Sequence, residues 1–314
     1  MKKFSISFFI MLLLLSFPAF AQDFWEVVPT PDTANPWSLC FNTNGDIWVG
    51  SNGVYLSQDQ GQSWEYKGFY GFTVYSIAID SSNNIFAGLS SVIFKSNDYG
   101  NSWNNVNYTM GNVISLATGP NGLVLATGGI NIGYLLRSTD YGENWDTSFV
   151  FPGTYERITD IVRGPDGSYY FSTAAWMGGM SGVYYSDNNG LNLDHIGLSY
   201  LRVNGLAFSP EGRLYAAVLN GCYVYDEENS EWNRLTSDLY ALGIVINSIG
   251  EIYLGVYDTY EPPAGIYRSQ DYGLSWHWLN SGLSYNSIEA VWLSPDEYVY
   301  ALTYSSHKLH RSIN

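Results

Sequence analysis

Four stretches of the chain share one pattern that decides the fold: SQDQGQSW at 57–64, SNDYGNSW at 96–103, STDYGENW at 138–145 and SQDYGLSW at 269–276. All four read SxDxGxxW. Two further copies keep only part of the pattern, namely SDNNGLNL at 186–193 and YDEENSEW at 225–232. A motif that returns about every 40 residues is typical of a repeat architecture, in which each copy marks one structural unit.

Two other elements recur between these boxes. An apolar run such as VYSIAID or VNGLAFS is followed, after a turn of the GPNG or SPEG kind, by a β-branched and aromatic run such as NNIFAGL or GRLYAAV, and each occurs seven times. With the box and the run that starts at its Trp, each unit contains four antiparallel strands, A to D, joined by hairpins. The pattern predicts an all-β fold, a seven-bladed β-propeller of four-stranded antiparallel blades over residues 22–314.

The last unit lacks its outer strand. The chain ends at KLHRSIN, where Arg311 and Ser312 align with Arg137 and Ser138, so the seventh box stops after its Ser. Near the N-terminus, Trp25 is followed by EVV, as the box Trp is followed by a short strand elsewhere. An unpaired sheet edge and an orphan strand are both unfavourable. We therefore predict that residues 23–28 form the outermost strand of the last blade, with Trp25 in the position of the box Trp.

The first 21 residues are predicted to be a signal peptide. Lys2 and Lys3 precede an apolar run at 8–17, and Ala19-Phe20-Ala21 matches the small-x-small cleavage pattern. We expect cleavage after Ala21 and a secreted or periplasmic protein. The apolar run is shorter than a membrane span, so no membrane insertion is expected.

Composition narrows the class of partner. The chain has 13 basic and 29 acidic residues and a net charge of −16, and loss of the two lysines makes it −18. Such a charge repels nucleic acid, so none is expected as a ligand.

Cys40 and Cys222 fall in blades one and five, which are not neighbours, so we expect both to be unpaired.

SxDxGxxW resembles the Asp-box, or bacterial neuraminidase repeat (BNR), of sialidases, sortilin-type receptors, some endoglucanases and photosystem II assembly factor-like propellers. The resemblance covers essentially the whole mature chain and is closest in character to the assembly factor-like and sortilin-like members. Because the family spans enzymes, receptors and assembly factors, it indicates architecture rather than chemistry.

The boxes have a structural interpretation. Their Asp accepts turn N–H groups, their Gly permits positive φ and their Trp packs between sheets, which assigns structural roles to Asp59, Trp64, Asp98, Trp103, Asp140, Trp145, Asp271 and Trp276. The alternating oxygen ligands of a calcium loop are missing, so we predict no metal and no cofactor.

Ligands of propellers usually meet the B to C and D to A loops around the central channel. Arg157 and Arg202 precede strand A in adjacent blades, each two residues after a tyrosine. Asp160 occupies a strand A position at which the other blades carry mostly small residues. The long B to C loops at 172–182 and 256–265 add further aromatics. The predicted ligand face contains Arg157, Asp160, Arg202, Tyr155, Tyr200, Trp176, Tyr257 and Tyr260. The alternative is that Arg157, Glu156 and Asp160 neutralise one another.

The resemblance to sialidases implies three arginines that hold the substrate carboxylate. This chain has no arginine before Arg137, and Arg137, Arg268 and Arg311 each precede a box Ser. Sialidase activity is therefore not expected, and no catalytic residue is assigned. We predict a noncatalytic binding or assembly module, a monomer that recognises a protein or a glycan through its loop face. The alternative is a polysaccharide-active glycoside hydrolase or lectin, with a carboxylate pair drawn from Asp160, Asp194, Asp238, Asp258, Glu261 and Glu289.

Overall fold

The computed structural model describes residues 23–31, 35–129, 132–151, 156–175, 181–236, 239–257, 263–304 and 306–313. The first strands are β1 (Trp25–Val28), β2 (Ser38–Phe41), β3 (Ile47–Ser51), β4 (Gly53–Ser57), β5 (Glu65–Gly68), β6 (Ser76–Ile79), β7 (Ile85–Ser96) and β8 (Asn104–Thr118). A 3-10 helix at Pro120–Gly122 precedes β9 (Val124–Gly128), β10 (Tyr134–Ser138), β11 (Asp146–Val150), β12 (Glu156–Arg163), β13 (Tyr169–Ala175), β14 (Val183–Ser186) and β15 (Asp194–Gly197). The remainder are β16 (Val203–Phe208), β17 (Leu214–Val218), β18 (Gly221–Asp226), β19 (Glu231–Arg234), β20 (Ala241–Ile246), β21 (Ile252–Val256), β22 (Gly265–Ser269), β23 (His277–Trp278), β24 (Ile288–Leu293), β25 (Val299–Thr303) and β26 (Leu309–Ser312).

These strands form a propeller of antiparallel sheets, but the predicted seven four-stranded blades are wrong. Within the described ranges there are five four-stranded blades: β2 to β5, β12 to β15, β16 to β19, β20 to β23, and β24 to β26 with β1. The remaining strands, β6 to β11, form a single six-stranded sheet.

The six-stranded sheet arises because two connections expected to be loops are continuous strand. β7 runs through the hairpin region at Ser90, and β8 pairs first with β7, up to Asn112 opposite Ser90, and then with β9 from Val113. Gly111 has φ of +120°, a conformation that glycine adopts without strain, and it lies one residue before the last pair with β7. One strand thus serves two neighbouring units.

The predicted closure by the N-terminal strand is confirmed. β1 pairs antiparallel with β26, with Trp25 opposite Ser312 and Val28 opposite Leu309. Trp25 is 2% exposed, and its indole Nε1 donates to the Leu279 carbonyl oxygen at 2.6 Å. Trp103 makes the matching bond to the outer strand of the blade before it. Trp25 therefore occupies the position that a box Trp fills elsewhere.

The second strand of each unit is the most buried. β3, β9, β17, β21 and β25 are buried along their whole length, whereas the outer strand β5 is exposed or half-buried. A blade is covered on both faces by its neighbours, so its inner strands are apolar throughout rather than alternating. Cys40 and Cys222 are both free thiols, the latter fully buried.

Each SxDxGxxW box forms the same hydrogen-bonded turn. In the second box the Ser96 hydroxyl donates to Asp98 and accepts the Gly100 N–H, while Asp98 also accepts the backbone N–H and the hydroxyl of Ser102. These donors lower the pKa of Asp98 to about 2, and Asp59, Asp140 and Asp271 behave alike.

The altered box at 186–193 keeps most of this turn. Asn188 Oδ1 accepts the Ser186 hydroxyl at 2.9 Å and the Asn192 N–H at 3.0 Å. The loss of the Asp charge is therefore compatible with the turn.

Across the described ranges, no helix reaches the length and hydropathy that a membrane crossing requires.

Candidate functional site

A central channel of about 720 Å³ runs between the sheets. Its walls are segments of the innermost strands β2, β6, β8, β12, β16, β20 and β24, with two of them contributed by the six-stranded sheet. Small residues such as Ser76, Gly205 and Gly243 keep the channel open, and Asp160 is the acidic side chain on this wall.

Asp160 is held by backbone groups rather than by the arginines. Its Oδ1 accepts the Ile161 N–H at 2.8 Å, and its Oδ2 accepts the Leu206 N–H of the adjacent blade at 3.1 Å. Burial raises the pKa of Asp160 to about 6, and the two N–H donors limit the rise. No ion pair joins Asp160 to Arg157 or Arg202 among the described residues. Asp160 therefore links two blades at the channel wall.

Arg157 and Arg202 lie together, as their equivalent positions in the repeat predict. Arg157 is inside β12, opposite Ala174, while Arg202 immediately precedes β16 and its carbonyl accepts the Leu219 N–H at 3.0 Å. Burial, together with the neighbouring Arg202 charge, holds the pKa of Arg157 below its usual range. The Nε of Arg157 is buried and has no hydrogen-bond partner among the described residues.

A surface cavity of about 470 Å³ adjoins this pair. Tyr200, Arg202 and Tyr240 line it, together with Asn220 and the end of β13 at Ala175. Tyr200 is 74% exposed and Tyr240 is 44% exposed, so both rings face solvent beside the cavity. The cavity thus combines one guanidinium with two accessible aromatic rings.

The D to A connections differ in how they place their aromatic residues. Most are exposed: Tyr66, Tyr70, Phe72, Tyr108, Tyr200, Tyr240 and Tyr285. Phe151 is instead buried, and Phe69 packs on Phe94 and Trp103. Tyr200 and Tyr240, which line one cavity, therefore mark the candidate interaction surface.

Tyr257 lies at the end of β21, half-buried, and its ring meets Tyr304 edge-on at a centroid distance of 4.9 Å. Tyr304 neighbours His307, whose Nδ1 is 3.6 Å from Glu289. The sequence had singled out Tyr257, and Glu289 only as one of several acids. It had not identified Tyr304 or His307, whose role depends on a contact between two blades. Tyr155, Trp176, Tyr260 and the predicted signal peptide lie outside the described residues.

Comparison with solved structures finds the same fold in proteins of low sequence identity. The extracellular domain of BT4673 from B. thetaiotaomicron has a TM-score of 0.73 at 15% identity, with 93% of this chain and 40% of that chain covered. This chain therefore spans about two fifths of that protein's length. YCF48 bound to D1 peptide has a TM-score of 0.71 at 20% identity, covering 95% and 100%.

A third neighbour, the GH74 xyloglucanase from Xanthomonas campestris, has a TM-score of 0.70 at 13% identity, covering 89% of this chain and 52% of that chain. A comparison with curated protein sequences gives no significant match. The family model described as photosynthesis system II assembly factor YCF48 matches residues 17–281. This match covers most of the chain and confirms the relationship that the boxes predict, so the protein belongs to the photosynthesis system II assembly factor YCF48 family.

Proposed function

We propose that this protein is an exported, noncatalytic propeller that binds a segment of another protein on its loop face. In this proposal Arg157 and Arg202 hold a carboxylate of the bound segment, and Tyr200 and Tyr240 pack against its apolar groups. The single observation that carries the proposal is the guanidinium of Arg202 in the wall of an aromatic cavity, with the charge of Arg157 next to it.

The electrostatics of this pair favour an anionic ligand group. Two neighbouring guanidinium groups repel each other, and burial of Arg157 removes part of the water that would screen them. An acceptor placed at Arg157 Nε would satisfy a buried donor that has no partner among the described residues. Arginine binds a carboxylate through two parallel hydrogen bonds, which supplies orientation as well as affinity.

The surrounding surface suits a polypeptide. Tyrosine side chains supply large contact areas at low entropic cost and are enriched at protein interfaces. The protein has a net charge of −16, so a pair of adjacent arginines offers an anionic group a local site of opposite charge on this face. One structural neighbour within the same family is described in complex with a peptide, which supports this class of partner.

A glycan-binding or polysaccharide-cleaving role is the second candidate. The exposed tyrosines would stack on sugar rings, and the fold is shared with a xyloglucanase. Hydrolysis requires two carboxylates about 5 to 10 Å apart. Asp160 and Glu289 lie on β12 and β24, which are separated by β16 and β20, and Asp194 lies on the outer strand β15. The other acids considered, Asp238, Asp258 and Glu261, fall outside the described residues.

A displayed library of 12-residue peptides tests the protein-binding role, with fluorescence anisotropy of the selected peptides on Arg157→Met and Arg202→Met. Peptides that carry Asp, Glu or a free C-terminal carboxylate should be enriched, and each substitution should weaken their binding at least about tenfold, because a charge-assisted bond is lost. Arg213→Met is the matched control, since Arg213 is exposed on the turn between β16 and β17.

Two outcomes would contradict the proposal: no enriched peptide, or equal binding by all three variants. Release of reducing sugars from xyloglucan, or binding on a glycan array, would favour the second candidate instead. The proposed export is tested separately by N-terminal sequencing of the protein recovered from periplasm or medium, with Gln22 expected as the first residue.

A further inference from the structure

The bulged position near the start of the innermost strand faces the neighbouring blade, and in two blades its side chain bonds to that neighbour. A β-bulge occurs at this position in five innermost strands, β8, β12, β16, β20 and β24, and the bulged residues are Ile114, Thr159, Asn204, Leu242 and Glu289. The Thr159 hydroxyl donates to the Val203 carbonyl of the next blade at 2.6 Å, and the Asn204 amide donates to Ala241 at 2.8 Å. An ionised carboxylate cannot donate such a bond. Glu289 is therefore the charged residue among these five positions and cannot make, when ionised, the bond that Thr159 and Asn204 make.

The surroundings of Glu289 leave its charge incompletely compensated. Its Oε2 is buried and accepts no hydrogen bond among the described residues. The Nδ1 of His307 lies 3.6 Å from Oε2, which is longer than a hydrogen bond. Desolvation raises the pKa of Glu289, as expected for a carboxylate with few donors. The Glu289 side chain as a whole is 26% exposed, so a donor can approach it from solvent.

Aromatic rings stand beside His307, the neighbour of this carboxylate. The ring of Tyr304 lies 6.4 Å from that of His307 and meets Tyr257 at 86°. Tyr304 is 44% exposed, so a group approaching from solvent can reach it. An ammonium group is attracted both by a carboxylate and by the face of a tyrosine ring, and this group of residues offers both.

This group of residues is continuous with the cavity beside the arginines. Tyr240 lines that cavity, and its carbonyl accepts the Tyr257 N–H at 2.9 Å. The innermost strands β12, β16, β20 and β24 follow one another as packed neighbours. The loop face thus has guanidinium groups at one end and a carboxylate at the other, connected by tyrosines.

We propose that Glu289, His307, Tyr304 and Tyr257 form a second subsite, which takes a primary ammonium group: a lysine side chain or the N-terminal amine of the bound segment. The inference rests on the proposed function, because it assigns the ammonium to the same protein segment whose carboxylate contacts the arginines. It predicts a ligand that carries opposite charges at two positions.

The subsite is tested directly with a small probe. Nα-acetyl-lysine methylamide is titrated into the purified full chain with labelled histidine, and the His307 ring signal is assigned by its loss in His307→Gln. The norleucine analogue, which lacks only the ammonium, is the control ligand. The lysine probe should shift the His307 signal, the norleucine probe should not, and Glu289→Gln should weaken binding at least about tenfold. Glu211→Gln removes an exposed acid from the turn between β16 and β17 and should bind as the wild type does.

The peptide library then separates the two proposals. Enrichment of lysine in wild-type selections that disappears with Glu289→Gln, while the acidic residue persists, supports the subsite. Acidic peptides without lysine, or a lysine probe that binds no better than norleucine, overturn the subsite and leave the carboxylate site standing. A lysine probe that binds at Glu289, combined with no acidic preference in the library, supports the subsite and overturns the proposed function.

Discussion

Trp25→Ala tests the closure of the propeller. Trp25 is almost fully buried among Tyr253, Ile266, Ile288 and Val291. Truncation of a buried Trp costs about 3 to 5 kcal/mol, which includes the cavity left behind. Loss of the indole N–H also leaves the Leu279 carbonyl without this donor.

For a domain of this size 1 kcal/mol corresponds to about 2 °C, so the melting temperature should fall by about 6 to 10 °C. Circular dichroism at the sheet signal, followed against temperature and against guanidinium concentration, measures the change.

Trp37→Ala is the matched control. Trp37 is 49% exposed at the channel mouth, where its ring lies 6.2 Å from that of Tyr75. It loses the same side-chain atoms but only about half as much buried area, so its melting temperature should fall by about half as much. If Trp25→Ala melts within 2 °C of the wild type, or no lower than Trp37→Ala, the contribution of β1 to stability has been overestimated.

Three further predictions concern stability and reactivity. Asn188→Asp should raise the melting temperature by about 1 to 3 °C, because the new carboxylate can accept the Asn192 amide as Asp140 accepts the Asn144 amide. An unchanged melting temperature would show that the turn at 186–193 gains nothing from the charge. Burial raises the pKa of Asp160 to about 6, so the folded protein binds this proton more tightly than the unfolded chain does. Through this group, the free energy of unfolding should rise by about 1 to 3 kcal/mol as the pH falls from 7 to 4. Urea unfolding at each pH measures the change, and the Asp160→Asn variant should lack it. Cys222 is buried and its thiol pKa is raised, so a thiol reagent should modify it only after unfolding, and rapid labelling of native protein would contradict this burial.

Local sequence determined the boxes because their contacts are local. Every hydrogen bond that orients Asp98 comes from a residue at most four positions away, so eight residues suffice to specify the turn. Trp25 could also be identified from the sequence. The repeat shows that the last unit lacks its outer strand and that an additional strand of the same pattern lies near the N-terminus. The adjacency of Arg157 and Arg202 also follows from the repeat, since equivalent positions of neighbouring blades must lie side by side.

Tertiary structure decided what depends on contacts between units. The number of separate sheets was mispredicted because β8 continues past Gly111 into the next unit, and pairing on both sides holds it extended where a loop was expected. The partner of Asp160, the Leu206 N–H, lies 46 residues along the chain. Likewise, Glu289 contacts His307 only because β24 pairs with β25, which brings the start of β24 next to the loop that follows β25. A side chain's partner across a blade interface depends on packing distances of a few ångströms, which the period of a repeat does not encode.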